Sequence, residues 1–191
     1  MKNLLLVVDV QNDFVTGSLG SKDAQEILPN ISSRVAEYHD KDDFYTLYTQ
    51  DTHFSWYLES SEGRNLPVEH CLANTWGWEI AAGALPPSGT PKNYMKLTFG
   101  DLNLPLAIRN FTNEPFNSTG KDLRILIVGL VTNICVVSNA LILKAAFPDA
   151  EIVVDAACCA GTSFSEHLAA LKVMKSCQIT IINAPEAFYN D

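Results

Sequence analysis

The stretch LRILIVGLVTNICVVSNALILKAA, residues 123–146, decides the fold, because a buried strand in it runs directly into a helix. Residues 123–128 are apolar except for Arg124 and are followed by a glycine, which is typical of a parallel strand covered on both faces. Thr132 and Asn133 are of helix-capping type, and apolar residues then recur at helical spacing. Cys135 therefore lies in or beside the first helical turn, where the positive end of the helix dipole would lower the pKa of a nucleophilic thiol. A small buried packing residue is an equally good interpretation of Cys135 from this stretch alone.

Composition limits the architecture and the partners. The chain has 191 residues, and 47% of them are hydrophobic. This length and composition predict a single domain over residues 1–191. A net charge of −9 argues against nucleic acid or an anionic membrane as a partner, because like charges repel. The five cysteines are an odd number, and Cys158 and Cys159 are adjacent, which is unlike a secreted disulfide framework and indicates a reducing cytoplasm.

Buried apolar runs alternate with helical segments along the chain. Strands are predicted over residues 3–8, 43–49, 93–97, 123–128, 150–154 and 178–182, and helices include residues 23–39 and a segment from Ser163 to about residue 175. This alternation predicts an α/β fold: a mainly parallel six-stranded sheet with helices on both faces, in a three-layer, Rossmann-like arrangement. The irregular segment 54–91 is long enough that we expect it to be functional.

Three reactive side chains are predicted to meet at one edge of this sheet. Asp9, Lys96 and Cys135 lie at or just past the ends of predicted strands one, three and four, and the carboxyl ends of parallel strands share an edge. Cys135 would attack a carbonyl group, Asp9 would take the thiol proton and pass it to the leaving amine, and Lys96 would stabilise the thiolate. Taken singly, Asp9 could cap a helix and Lys96 could be an exposed edge charge. Taken as a set, they favour the catalytic interpretation.

A second polar group is predicted beside the first. Asp51 and His53 lie on one face of a strand end, because strand side chains alternate with a period of two. His70 follows from the irregular segment, which can fold back over the same edge. Carboxylate and imidazole ligands suit zinc, iron or manganese. The alternative for the two histidines is ordinary hydrogen bonding in a core or loop.

Five ordered motifs resemble the isochorismatase-like cysteine hydrolases, and within them the nicotinamidase branch. They are VVDVQNDF around Asp9, QDTH at Asp51 and His53, LPVEHCLANTWGWE at His70, MKLTFG around Lys96 and VGLVTNICV around Cys135. The resemblance extends from residue 3 to about residue 160, and an ordered set is far more specific than any single motif. It implies the isochorismatase-type version of the predicted fold.

The resemblance also implies a Cys135–Asp9–Lys96 triad that forms a thioester from a small amide and releases ammonia. It implies a cis peptide bond before Val131. The backbone N–H groups of Val131 and Cys135 would then form an oxyanion hole, which stabilises the negative oxygen of the tetrahedral intermediate.

One divalent metal ion is implied as well, with zinc expected before iron or manganese, held by Asp51, His53 and His70. In nicotinamidases this ion binds the pyridine nitrogen and orients the ring, and it does not activate the nucleophile. Where many family members have a further histidine, this chain has Tyr57, and Glu62 is our candidate for the fourth ligand. A solvated loop acid is an equally good interpretation of Glu62.

The predicted substrate pocket departs from the nicotinamidase pattern. The tryptophan that many nicotinamidases carry between the aspartate and the histidine is Thr52 here, and the aromatic residue before Pro-x-x-His is Leu66. The ring that the pocket holds could therefore differ from nicotinamide. Phe14 remains as an aromatic wall, and we expect the pocket to be lined by Phe14, Gln11, Leu19 and Tyr57.

The leading functional hypothesis is a nicotinamidase-like amidohydrolase that converts a small, ring-bearing primary amide to acid and ammonia. One alternative is hydrolysis of another small amide, ureide or carbamoyl compound by the same cysteine chemistry. The other is a catalytically silent small-molecule-binding homologue, which the presence of Asp9, Lys96 and Cys135 together counts against. We expect a homodimer or homotetramer with a small-molecule amide substrate and neither a nucleic-acid nor a membrane partner.

Overall fold

A computed structural model of the chain describes residues 1–190, and residue 191, the last of the predicted domain, lies outside the described residues. The described residues form one six-stranded sheet in the spatial order β3-β2-β1-β4-β5-β6. All neighbouring strands pair in parallel. The strands are β1 (Lys2–Val8), β2 (Phe44–Asp51), β3 (Asn93–Lys96), β4 (Leu123–Leu130), β5 (Glu151–Ala160) and β6 (Thr180–Ile182). The predicted α/β fold with a six-stranded parallel sheet is confirmed.

Helices connect the strands on both faces of the sheet. They are α1 (Asn12–Val15), α2 (Lys22–Glu26), α3 (Leu28–Tyr38), α4 (Ser61–Asn65), α5 (Leu104–Thr112), α6 (Val137–Ala146) and α7 (Phe164–Ser176). Ser163 caps α7, since its hydroxyl oxygen accepts a hydrogen bond from the Glu166 N–H group at 3.2 Å. Within residues 1–190, no helix has the length and apolarity that crossing a membrane requires.

Two hydrophobic cores form on the two faces because side chains alternate along each strand. In β1, Leu4, Leu6 and Val8 belong to the core covered by α5, α6 and α7. Leu5 and Val7 belong to the core covered by α2 and α3. A strand that buries both of its faces has to be apolar at every position, which accounts for the unbroken hydrophobic runs in the sequence.

Two predicted elements differ from the structure. The single helix expected over residues 23–39 is two helices, α2 and α3, because Pro29 has no N–H group to continue a helix and instead occupies the first turn of α3. The fifth strand, expected over residues 150–154, continues to Ala160. After an irregularity in the pairing of β4 with β5, Gly129 and Leu130 pair with Cys159 and Ala160. Residues 156–160 are alanine and cysteine, which lack the β-branched signature on which the prediction depended.

The strand order places a crevice between β1 and β4. The connection from β1 crosses one face of the sheet through α2 and α3, and the connection from β4 crosses the other face through α6. Where neighbouring connections diverge in this way, the carboxyl ends of the two strands border an open site. Asp9 follows β1 and Cys135 follows β4 at this point.

Candidate active site and metal centre

A glycine in β4 allows close approach of the two strands that carry Asp9 and Cys135. Gly129 pairs with Val8 and has a φ of +124°, a conformation that other residues rarely adopt. A Cβ atom added at Gly129 would collide with the carbonyl oxygen of Val8. Asp9 itself has a φ of +50°, so the chain turns sharply at the end of β1. The backbone thereby presents the carboxylate at the edge of the sheet.

Lys96 joins the predicted catalytic side chains. Its Nζ atom lies 2.7 Å from Asp9 Oδ2, 3.6 Å from Cys135 Sγ and 3.2 Å from Asp51 Oδ1. Asp9 and Lys96 are fully buried, and Cys135 is 4% exposed. Lys96 reaches this position as the last residue of β3, where it pairs with Asp51 at the end of β2. The structure thus brings Asp9, Lys96 and Cys135 together at one edge of the sheet.

Thr49 orients Asp9, a role that the sequence analysis missed. The Thr49 hydroxyl group donates a hydrogen bond to Asp9 Oδ1 at 2.6 Å. In return, the Thr49 Oγ1 atom accepts a hydrogen bond from the Asp9 N–H group at 3.2 Å. Thr49 lies in β2 and is fully buried. Asp9 Oδ1 is therefore held by Thr49, while Oδ2 faces the Lys96 ammonium group.

Cys135 lies in a π-helical turn, Thr132–Val136, between β4 and α6. The carbonyl oxygen of Val131 accepts hydrogen bonds from the N–H groups of Ile134 and Val136, at 3.1 and 3.2 Å. The Leu130–Val131 peptide bond is cis, as the resemblance implied. Among the described hydrogen bonds, none joins the Cys135 N–H group to the Val131 carbonyl oxygen. The oxyanion hole of Val131 and Cys135 stays a prediction.

The predicted capping roles of Thr132 and Asn133 are wrong. The Thr132 hydroxyl group lies 2.8 Å from His167 Nδ1, and the Asn133 amide donates to the Thr162 hydroxyl oxygen at 2.9 Å. Both side chains thus fasten the turn to α7 and the loop before it. The residue in the N-cap position is Val131, whose side chain makes no capping hydrogen bond.

Burial dominates the electrostatics of the catalytic group. It raises the pKa of the Cys135 thiol well above its ordinary value, and the Asp9 carboxylate raises it further against the influence of Lys96. The prediction of a lowered pKa for Cys135 is therefore wrong. Burial also raises the pKa of Asp9, although Lys96 opposes the shift. Burial acts to lower the pKa of Lys96, but the adjacent carboxylates, Asp9 above all, raise it on balance and keep the ammonium group charged.

The second predicted group is also assembled. Asp51, His53, Glu62 and His70 each offer one ligand atom, and these atoms lie within 4.8 Å of one another. His53 Nε2 lies 3.0 Å from Asp51 Oδ2 and 3.4 Å from Glu62 Oε1. His70 Nε2 lies 3.7 Å from Asp51 Oδ2 and 3.8 Å from Glu62 Oε1. Asp51 therefore turns one oxygen to the histidines and the other to Lys96.

The charges in this group fit a divalent metal ion. Asp51 and Glu62 give the group two carboxylates, and the adjacent Lys96 and Asp9 carry opposite charges, so the negative charge that remains favours a cation. Burial lowers the pKa of His53, but hydrogen bonds to Asp51 and Glu62 outweigh it and raise that pKa to about 9. His70 Nδ1 lies 2.8 Å from the carbonyl oxygen of Val68, an outer contact that orients Nε2 toward the group. The mixed nitrogen and oxygen donors suit zinc, iron or manganese.

Backbone hydrogen bonds bring His70 to the strand end. The His53 N–H group donates to the Cys71 carbonyl oxygen at 3.0 Å, and the Ala73 N–H group donates to the His53 carbonyl oxygen at 2.9 Å. Asp13 fixes the same loop, because its Oδ2 atom accepts a hydrogen bond from the Cys71 N–H group at 2.8 Å. Asp13 lies inside the VVDVQNDF motif, but no local pattern marks it as a residue that positions His70.

The structure gives Gln11 a role different from the predicted pocket wall. Gln11 is fully buried, and its Oε1 atom accepts a hydrogen bond from the Asp51 N–H group at 2.7 Å. Its Nε2 atom donates to the carbonyl oxygens of Asp51 and Trp78, both at 2.9 Å. All three bonds join it to backbone, so Gln11 positions Asp51 and does not present its amide to a ligand.

The other three predicted pocket residues differ in how close they lie to the two histidines. Tyr57 is buried behind the histidines, 4.5 Å from the His53 ring between centroids, and lines a cavity of about 250 Å³ with His53 and Glu62. The half-buried ring of Phe14 lies 5.5 Å from that of His70. Neither Phe14 nor Leu19 lines this cavity, and Leu19 lies in the loop after α1. A larger groove of about 550 Å³, between α2 and α7, contains none of the predicted site residues.

Comparison with known families identifies the chain. The family model of the isochorismatase domain matches residues 3–186. The chain belongs to the isochorismatase family. Membership in this family of hydrolases agrees with the resemblance seen in the five sequence motifs. A comparison with curated protein sequences finds no match.

Solved structures share this isochorismatase fold. The pyrazinamidase of Pyrococcus horikoshii in complex with zinc has a TM-score of 0.77 and 24% identity, covering 96% of this chain and 100% of its own. A nicotinamidase/pyrazinamidase of Bacillus subtilis has a TM-score of 0.73 and 22% identity, covering 95% of this chain and 99% of its own. The N-carbamoylsarcosine amidase of Thermoplasma acidophilum has a TM-score of 0.72 and 21% identity, covering 97% and 99%. At these identities the likeness establishes the fold.

Proposed function

We propose that this isochorismatase-family protein is a cysteine amidohydrolase that converts a small, ring-bearing primary amide to the acid and ammonia. The observation that carries the proposal is the position of Lys96 Nζ, 2.7 Å from Asp9 Oδ2 and 3.6 Å from Cys135 Sγ. A buried thiol, carboxylate and ammonium in contact are the parts that nucleophilic catalysis of acyl transfer requires.

In the first half of the reaction, Cys135 Sγ attacks the amide carbonyl carbon while its proton passes to Asp9. The raised pKa values of both groups suit this transfer, because the proton leaves the sulfur only as the carbon–sulfur bond forms. The N–H groups of Val131 and Cys135 stabilise the resulting oxyanion. Asp9 then donates the proton to the departing nitrogen, the carbon–nitrogen bond breaks, and ammonia leaves behind a thioester.

In the second half, a water molecule attacks the thioester carbonyl and gives its proton to Asp9. The carbon–sulfur bond breaks, the acid is released, and the proton returns to Cys135 Sγ. Lys96 remains an ammonium ion throughout and offsets the negative charge that moves between the sulfur and the carboxylate. The Thr49 hydroxyl group holds Asp9 Oδ1 by a hydrogen bond, and Asp9 Oδ2 faces Lys96.

We propose that Asp51, His53, Glu62 and His70 hold a divalent metal ion, with zinc first because a structurally similar pyrazinamidase was solved with zinc. When bound, the ion would supply a Lewis-acid site for a ring nitrogen of the substrate. Phe14, whose ring lies beside that of His70, would then flank the substrate ring, and Tyr57 would support the two histidines from behind.

Ammonia release tests the proposed activity. Metal-loaded protein is incubated with nicotinamide, pyrazinamide, a carbamoyl compound and other small amides, and Cys135→Ala is compared with Cys177→Ala. Cys177 is exposed at the end of α7, so its substitution is the matched control. We expect Cys135→Ala to lose on the order of 10³-fold or more of turnover and Cys177→Ala to keep it. Turnover that survives in Cys135→Ala would refute the thioester route, and binding without hydrolysis across the set would identify a silent binding protein.

Hydrolysis of a carbamoyl compound is the second candidate function, since the fold is shared with an N-carbamoylsarcosine amidase and Thr52 replaces a pocket aromatic.

We also propose a homodimer or homotetramer, which light scattering would measure. The free thiols of Cys71, Cys135, Cys158, Cys159 and Cys177 support a reducing cytoplasmic location.

A further inference from the structure

Asn139 links the turn that carries Cys135 to the loop that follows Lys96. Its Nδ2 atom donates hydrogen bonds to the carbonyl oxygen of Cys135 at 2.8 Å and to that of Phe99 at 3.0 Å. Its Oδ1 atom accepts a hydrogen bond from the Asp101 N–H group at 3.1 Å. Asn139 is fully buried in α6. Both donors and the acceptor of one amide are therefore used, and all are used on backbone.

The packing around Gly100 shows that this loop lies directly against α6. A Cβ atom added at Gly100 would lie 2.8 Å from Ile142 Cδ1 and 2.9 Å from Ser138 Cβ. Ser138 and Ile142 flank Asn139 on the helix. The loop over residues 97–101 therefore approaches α6 without room for a side chain at Gly100, and Asn139 supplies the polar contacts at the same place.

This contact matters because Cys135 and Lys96 belong to separate elements. Lys96 ends β3, three residues before Phe99, whereas Cys135 follows β4. The distance of 3.6 Å between Lys96 Nζ and Cys135 Sγ depends on how these elements are held relative to each other. Among the described hydrogen bonds, those of Asn139 connect the Cys135 backbone directly to the β3 loop.

We propose that Asn139 is a positioning residue for the reaction, holding the nucleophile Cys135 in register with Lys96 through its amide. The proposal rests on the proposed function for its catalytic consequence, but the coupling of Cys135 to Lys96 is measurable without a substrate. Misplacement of reacting groups by about 1 Å can cost roughly 10²-fold in rate. The effect falls on turnover, because Asn139 contacts neither the metal group nor the cavity beside it.

The first test compares Asn139→Ala and Asn139→Ser with a control in α5. Serine at this position can still bond the carbonyl oxygen one turn earlier, at Cys135, but is too short to reach the loop. Thr112→Val is the matched control, because Thr112 is fully buried and donates to the Ile108 carbonyl oxygen at 2.8 Å, also one turn back. We expect kcat to fall by about 10- to 100-fold in both Asn139 variants with KM nearly unchanged, and neither to change in Thr112→Val. An Asn139→Ser variant whose kcat falls no more than that of Thr112→Val would overturn the proposal.

The second test measures coupling without substrate. The metal-loaded protein is treated with iodoacetamide, and modification of Cys135 is followed by peptide mass spectrometry, with exposed Cys177 as the internal reference. Lys96→Met is made in the native and Asn139→Ser backgrounds, with Lys96→Gln in its place if the Met variant does not fold. We expect the Lys96 substitution to slow Cys135 modification by about tenfold in the native background and by less than about threefold in Asn139→Ser.

The two tests separate the failure of this inference from that of the proposed function. Equal effects of the Lys96 substitution in both backgrounds would overturn the positioning role of Asn139, whatever the substrate. Unequal effects together with absence of amide hydrolysis by the native protein would support that role and overturn the proposed activity alone.

Discussion

Thr49→Val tests how Asp9 is tuned for its role as the base. The substitution keeps the shape of the side chain and removes the hydroxyl group that donates to Asp9 Oδ1 at 2.6 Å. Both residues are fully buried, so water cannot replace the lost donor. A hydrogen bond to a charged group contributes about 1.5–3 kcal/mol, so the free energy of unfolding at neutral pH should fall by about that amount.

The direction of the pH effect follows from the same bond. The Thr49 hydroxyl group favours ionised Asp9, so its removal raises the pKa of Asp9 further above its usual value, adding to the effect of burial. The stability deficit of Thr49→Val should therefore be largest at neutral pH and shrink as Asp9 becomes protonated at lower pH. The acidic limb of the kcat/KM profile should move to higher pH, because Asp9 acts as a base only when it is ionised.

Urea unfolding at several pH values and a pH–rate profile measure these two effects. Thr46→Val, in the same strand and outside the site, is the control. An unchanged acidic limb in Thr49→Val, with the same stability as Thr46→Val at every pH, would refute the assignment of Asp9 as a base oriented by Thr49.

Three further predictions concern the metal group and the backbone. Glu62→Gln should weaken zinc binding by about 10- to 100-fold and leave the rate of iodoacetamide modification of Cys135 unchanged. A zinc titration that gives the native affinity would remove Glu62 from the ligand set. Because the pKa of His53 is raised to about 9 without the metal, zinc binding at pH 7 should release a proton, and zinc affinity should rise with pH. Calorimetry in buffers of different ionisation enthalpy would detect the released proton. Zinc affinity that does not depend on pH would contradict this prediction. Gly129→Ala should lower the free energy of unfolding by roughly 3 kcal/mol or more, because alanine rarely adopts the positive φ and its Cβ atom would collide with Val8. Near-native stability in urea unfolding would show that β1 and β4 can move apart at no cost in free energy.

The sequence predicted the features that depend on strand ends. Apolar runs located the strands, and the rule that parallel strands share a carboxyl edge was enough to bring Asp9, Lys96 and Cys135 together. The spacing of Asp51 and His53 likewise follows from the two-residue period of a strand. These expectations needed only local patterns and one general property of parallel sheets.

The remaining features depend on contacts between segments far apart in the chain. Gln11 was expected in the pocket, but its amide bonds the backbone of Asp51, forty residues away. The position of His70 depends on Asp13 and on backbone pairing with His53, which no local pattern encodes. The pKa of Cys135 was predicted from a helix end alone, whereas burial beside Asp9 determines its direction. Burial and long-range pairing are properties of the folded chain.

The proposed activity depends above all on a covalent bond between Cys135, supported by Asp9 and Lys96, and the acyl part of an amide. Acid quenching of the metal-loaded protein during turnover of its best amide substrate, followed by peptide mass spectrometry, measures this directly. We expect a mass increase on the Cys135 peptide equal to that of the amide minus ammonia, and none in Cys135→Ala. Ammonia release at the native rate by Cys135→Ala, or an acyl group carried by a different residue, would contradict it.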